Sequence, residues 1–297
     1  MGNNASALKA TVAGGGLVDE FDLSSGNRAT DDFGSIGGGG NNQAGDNLGT
    51  TDDRPFATVA GGSSNTASGA LSTIGGGAGN TASSNGATVS GGAGNVASGA
   101  LATVPGGASN TAAGLFSLAA GFRAKANHAG TFVWGDASNA DVVSTNVNQF
   151  VVRATGGTAF LSNAAGTAGV VLPPGGGSWS ALSDRNVKEN FAAVDGEELL
   201  EKLDRLPMQS WNYQSQEATI RHLGPMAQDF YAAFGVGEDD RHISAVDADG
   251  VALAAAQQLY RMVQEMVQEK AAETRQLREE LRQLRERLAL LGASQDR

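Results

Sequence analysis

Between Ser178 and Phe191 the chain reads Ser-Trp-Ser-Ala-Leu-Ser-Asp-Arg-Asn-Val-Lys-Glu-Asn-Phe. This stretch holds a hydroxyl, Ser183, and an amine, Lys188, five residues apart. A serine hydroxyl is a poor nucleophile until a base removes its proton. Lysine is such a base only when neutral, a state that burial favours. The spacing alone is not diagnostic, because serines precede lysines by five residues in most proteins by chance. Ser183 or Asp184 could equally serve as a helix cap. His222, within Arg221-His222-Leu223-Gly224, could assist a proton transfer or simply pack. His242 follows Asp239-Asp240-Arg241 and reads as a solvated loop. The chain has no cysteine, so disulfides and thiolate metal sites are excluded. No cofactor or metal is expected.

Composition divides the 297 residues near position 180. Of 43 glycines, 37 lie in residues 1–182 and 6 in 183–297. Charge moves the other way: 6 Lys/Arg and 10 Asp/Glu precede the divide, and 14 and 21 follow it. The two net charges, −4 and −7, give the total of −11. An acidic chain without a basic block argues against nucleic-acid binding. No apolar stretch is long enough to span a membrane, and residues 1–16 lack the pattern of a secretory signal.

Glycine at this density commonly means disorder, but here it keeps strict register. Val59, Ile74, Val89 and Val104 step by 15 residues, as do Asn65, Asn80, Asn95 and Asn110. Gly61, Gly76, Gly91 and Gly106 form a third column, and Thr58, Thr73, Thr88 and Thr103 a fourth. Such register marks a solenoid in which each coil stacks on the last. Ala-Thr-Val is a short alternating strand with Val inward and Thr outward. Gly-Gly supplies the positive φ of a tight corner, and the asparagine suits the left-handed region beside it. Looser copies occur at Ala10–Gly15, Gly34–Gly38 and Phe116–Gly121, with a surface loop at Asp46–Pro55. Residues 1–126 are therefore read as a glycine-rich β-solenoid, regular over 57–114. The glycine run Gly37–Gly40 lacks the Lys-Ser/Thr of a phosphate loop. The turns lack the Asp of a calcium-binding repeat.

One coil offers an interior little more than one branched aliphatic and some alanines. That burial does not offset the backbone entropy of the coil, so association with identical neighbours is implied. Residues 127–177 break the period. They form a β connector, with strands at Thr131–Trp134, Gln149–Arg153 and Thr158–Leu161 and a further segment at Gly169–Leu172. Trp134 and Phe150 are packing residues there. Pro173–Gly177 is a strong break.

Residues 178–250 read as a small α+β domain. A helix over Glu197–Leu206 ends at Pro207, a strand covers Gln209–Tyr213, and a helix over Pro225–Phe234 stops at Gly235. Residues 251–297 form a long helix. Leu277, Leu281, Leu284, Leu288 and Leu291 alternate steps of four and three, which is a heptad seam. One seam column extends back through Val267 and Tyr260 to Leu253, and the other through Val263 to Ala256, with Thr274 and Lys270 as weak points.

The repeats resemble the head repeats of trimeric autotransporter adhesins, a left-handed parallel β-roll shared by three chains. The order Ser183-Asp184-Arg185-x-x-Lys188, then Gly224-Pro225-Met226-Ala227-Gln228-Asp229, then a long helix resembles the C-terminal intramolecular chaperone domain of endosialidase tail spikes and other phage fibres. The resemblance covers about residues 178–291. It implies a homotrimer that helps the upstream β-structure fold and then cuts itself immediately before the serine. The cut falls between Leu182 and Ser183, with Ser183 as nucleophile and Lys188 as its base. Asn190, Asp184 and His222 are candidates for assisting roles. The expected molecule is mainly β: a trimeric β-solenoid stalk, a small α+β chaperone domain and a C-terminal coiled coil. Its partner is itself, with a cell-surface or glycan receptor for the stalk, and its setting a virion fibre or a bacterial surface. The competing expectation keeps residues 183–297 as a permanent, uncut trimeric foot.

Overall fold

The structure, a computed structural model, describes residues 2–16 and 25–295, with side chains as far as 288. Two compact units meet in sequence between Leu182 and Ser183. The first is a parallel β-solenoid, followed by a small antiparallel sheet. The second is an α+β region with three α-helices, the last of them long.

Each solenoid coil contributes one two-residue strand to each of two parallel sheets. Thr58–Val59 pairs in register with Thr73–Ile74, then Thr88–Val89, then Thr103–Val104. Thr66–Ala67, Thr81–Ala82, Val96–Ala97 and Thr111–Ala112 stack in the same way on the other side. Alternation along each strand sends one residue in and one out. The inward residues Val59, Ile74, Val89 and Val104 are fully buried against Ala67, Ala82, Ala97 and Ala112. The core is accordingly one aliphatic side chain thick.

The sequence places the asparagines at a left-handed corner; the structure buries them completely instead. Asn42, Asn65, Asn80, Asn95 and Asn110 have no exposed surface. The positive φ falls one residue earlier, at Ser64, Gly79, Gly94 and Ser109. Each asparagine then turns its amide inward. Asn80 Nδ2 donates to Gly76 O and Gly92 O, both at 2.9 Å, and Asn80 Oδ1 accepts from Asn95 N at 3.0 Å. A thin core cannot leave backbone polar groups unpaired, and the ladder satisfies them from within. The glycine three residues before each asparagine is fixed by close approach. A Cβ on Gly77, at φ 86, would collide with the carbonyl oxygen of Gly92 in the next coil.

The stack runs beyond the 15-residue period. Phe132–Gly135 and Phe150–Arg153 continue the same parallel sheet after Leu118–Phe122. The outward column that is Thr in the regular coils becomes Leu118, Phe132 and Phe150 there. Phe132 and Phe150 meet edge to face, 5.0 Å between ring centroids, and Trp134 pairs with Val152 in register. A separate sheet follows. Thr158–Leu161, Gly169–Leu172 and Ser180–Ala181 form an antiparallel trio.

In the second unit, α1 spans Gly196–Arg205, α2 Ala227–Phe234 and α3 Ala245–Gln295. Asp195 caps α1 by accepting from Glu197 N and Glu198 N, and α2 ends at Gly235 in the left-handed conformation. Leu199, Leu206, Phe230, Val251 and Ala255 form the core. Val251, Ala255 and Gln258 are the buried face of α3, while Leu253 and Tyr260 on its seam are exposed. Val263, Val267, Leu277, Leu281, Leu284 and Leu288 are exposed as well. Leu291 lies beyond the described side chains.

Candidate active site around Ser183

Asp184 begins the local structure. Its carboxylate accepts from Asn186 N and Asn186 Nδ2, both at 2.9 Å, and caps a 3-10 turn over Arg185–Val187. Lys188 N donates to Arg185 O and closes the turn. A 3-10 turn rises by about 2 Å per residue, so it returns Lys188 close to the start of the segment. Lys188 Nζ lies 2.6 Å from Ser183 Oγ. In the charged amine this is an N–H donated to the hydroxyl oxygen. In the neutral amine the same two atoms are placed for the hydroxyl to donate to nitrogen, the direction that a general base requires.

The other candidates have contacts or conformations of their own. Asn190 adopts φ 58 and is exposed. Arg185 does not pair with Asp184 but lies over the ring of Phe191, 5.5 Å from its centroid. His222 sits on the strand His222–Gly224, which pairs with Gln209–Trp211. Its Nε2 is 2.8 Å from Gln216 Oε1, and its ring packs against Trp211 and Tyr213. These contacts hold the ring in the hairpin. His242 is engaged by Asp239, whose carboxyl is held below the usual range by the backbone N–H of Arg241 and by His242. Sequence reasoning missed Asn186, whose amide completes the cap; an Asp-x-Asn spacing at the head of a turn is the signal that could have found it.

The site is open. Every residue from 173 to 195 is exposed, including the apolar Leu182, Val187, Phe191 and Val194. Far along the chain, Asp31, Asp46 and Asp53 bring carboxylate oxygens within 4.8 Å of one another. Two of them already serve the loop: Asp31 accepts the N–H of Asp46, and Asp46 pairs with Arg54 at 3.5 Å.

The segment that begins at this serine decides the relationship. Residues 183–236 match the family model of the chaperone of endosialidase. The match starts at Ser183 and includes Asp184, Lys188, Asn190 and His222. It ends before α3. No curated protein matches the chain. The endosialidase-chaperone family implies self-cleaving peptidase activity in general. The matched segment follows a β-solenoid, the order expected of a fibre with a C-terminal chaperone.

Proposed function

We propose that this is a homotrimeric fibre or surface protein whose C-terminal domain assembles the β stalk and then cuts itself off between Leu182 and Ser183. The observation that carries this reading is the 2.6 Å contact between Lys188 Nζ and Ser183 Oγ at the first residue of the matched segment.

The neutral Lys188 amine takes the proton of Ser183 Oγ. The oxygen attacks the carbonyl carbon of Leu182, which covalent connection already holds near it. The carbonyl becomes an oxyanion, for which Asn190 is the candidate donor. When the intermediate collapses, the Leu182–Ser183 amide C–N bond breaks and its nitrogen takes the proton from Lys188. An ester then links the Leu182 carbonyl to Ser183 Oγ. Water hydrolyses the ester, leaving a carboxylate on Leu182 and free hydroxyl and α-amino groups on Ser183. One turnover suffices, so no substrate pocket is needed. Asp184 acts by holding the turn that presents the lysine.

In the single chain the pair is exposed, and burial is what favours the neutral amine. Three-chain assembly would supply that burial and would make cutting follow folding. The exposure also favours the second reading, in which the domain stays attached as a permanent foot. A denaturing gel of the full chain separates the two. We expect the wild type to run as two fragments, 1–182 and 183–297, and Ser183→Ala and Lys188→Ala as one band while remaining trimeric by light scattering. A doublet that persists in Ser183→Ala rejects the nucleophile; a single band in the wild type favours the permanent foot.

A further inference from the structure

One edge of the stalk repeats a conformation that bulky residues avoid. Phe33, Phe56, Leu71, Leu101 and Phe116 have φ of 59, 64, 57, 54 and 57. Left-handed backbone suits glycine and asparagine, and a large L-residue enters it only at a cost. These positions form one column. Leu71 N donates to Pro55 O, Leu101 N to Asn85 O and Phe116 N to Ala100 O, each reaching the residue before the column member of the previous coil. Other coils put different residues in the same place: Gly86, Gly130 and Asn148, which the turn alone would select, and Lys9 one coil before Phe33. The chain therefore spends strain to put Phe and Leu on this edge, yet leaves them between 37% and 63% exposed.

We infer that this ridge is the seam on which three copies of the stalk meet, with identical residues at the same level facing one another. The inference rests on the trimeric reading above and names the surface it uses. Three observations favour a second copy over a foreign partner. The ridge repeats at the coil spacing, so parallel identical chains match it layer by layer along its length, as the layers of a coiled coil do. Residues 57–122 carry no charged side chain, so along the coils of Leu71, Leu101 and Phe116 identical stalks side by side meet no like-charge repulsion. The five side chains expose on the order of 500 Å² per chain, taking 150–250 Å² for a whole aromatic. That is at the upper end of what a monomer leaves in water, and with Leu115 beside Phe116 it approaches the share each partner gives to a standard interface. The ridge is interrupted once, at Gly86, where the Leu101 side chain lies over the vacant Cβ position.

The absence of cysteine makes the test direct. Leu71→Cys is introduced into the full chain, with Ser64→Cys on the glycine corner as control. Both are mildly oxidised and run on a non-reducing denaturing gel beside a native mass measurement. A disulfide needs Cα atoms within about 7 Å, so only residues that face their own copies will link. We expect Leu71→Cys to shift to disulfide-linked dimer, up to about two chains in three for a trimer with one thiol per chain, and Ser64→Cys to stay unlinked. A trimeric mass with no Leu71→Cys link, or equal linking in both variants, places the seam elsewhere and overturns the inference while the trimer stands. A monomeric mass for the unsubstituted chain removes the trimeric reading, and the seam with it.

Discussion

The buried asparagine does three jobs in one side chain. Asn80 supplies two donors to carbonyls of its own and the next coil, and one acceptor to the backbone of Asn95. Replacing it with alanine leaves the buried N–H of Asn95 without its acceptor and takes this donor from Gly76 O, while Gly92 O keeps the N–H of Ala78. Leaving a buried hydrogen-bonding group without its partner costs about 1–3 kcal/mol, so Asn80→Ala is expected to lower stalk stability by about 2–3 kcal/mol. Thr81→Ala, one residue away and outward-facing, should stay within about 0.5 kcal/mol of the parent. Urea midpoints of the two variants compare them. Equal shifts would mean that the ladder decorates the stack and does not hold it.

At the scale of the element, the end of the solenoid is tied by one carboxylate. Asp136 follows the strand Phe132–Gly135 and accepts from Arg153 Nε at 2.8 Å, Thr155 N at 2.8 Å, Thr155 Oγ at 2.7 Å and Ser138 N at 3.1 Å. The Thr155 backbone N–H first, then its hydroxyl and Arg153, hold the Asp136 carboxyl far below the usual 3.8. A depressed acid favours the folded state while ionised. Its contribution is full above the ordinary carboxylate range and declines as pH falls below it. Asp136→Asn should therefore lower the melting temperature at neutral pH, and the gap to the parent should narrow progressively below about pH 4. A gap that stays constant down to about pH 2 would show that charge is not what ties these strands.

For the whole molecule, the problem is alignment. The parallel coils pair residues from separate turns, and a three-chain stalk must also match its copies before contacts reward it. The exposed seam of α3 offers an early solution, since Leu277, Leu281, Leu284 and Leu288 stay exposed among the described residues. In the proposed mechanism this helix gathers three chains, the stalk forms from that end, and cutting follows. Leu281→Lys with Leu284→Lys should then give a monomer that remains uncut, read by light scattering and a denaturing gel. A monomer that still splits at Leu182–Ser183 would separate cleavage from assembly and refute the coupling.

The solenoid was legible because its constraints are local and repeated. Val, Thr and Gly each recur at 15 residues, since every coil faces the same neighbours. The segment at Ser183 was legible through the order of its motifs, and the heptad leucines recur on one long helix that leaves them exposed. Sequence alone did not show that the asparagines turn inward, because the choice between corner and core depends on which backbone groups the stacked coils leave unpaired. Nor did it show that the stack continues past the 15-residue period, because the spacing of later coils changes while Val133 and Val151 keep the inward place. The left-handed ridge was equally hidden: Phe and Leu at those positions read as ordinary apolar residues until the backbone is seen. Chain spacing could name Ser183 and Lys188, but only the capped turn at Asp184 decided that their side chains touch. Periodic contacts write themselves into sequence, whereas a single contact between two side chains is settled by the path the backbone takes between them.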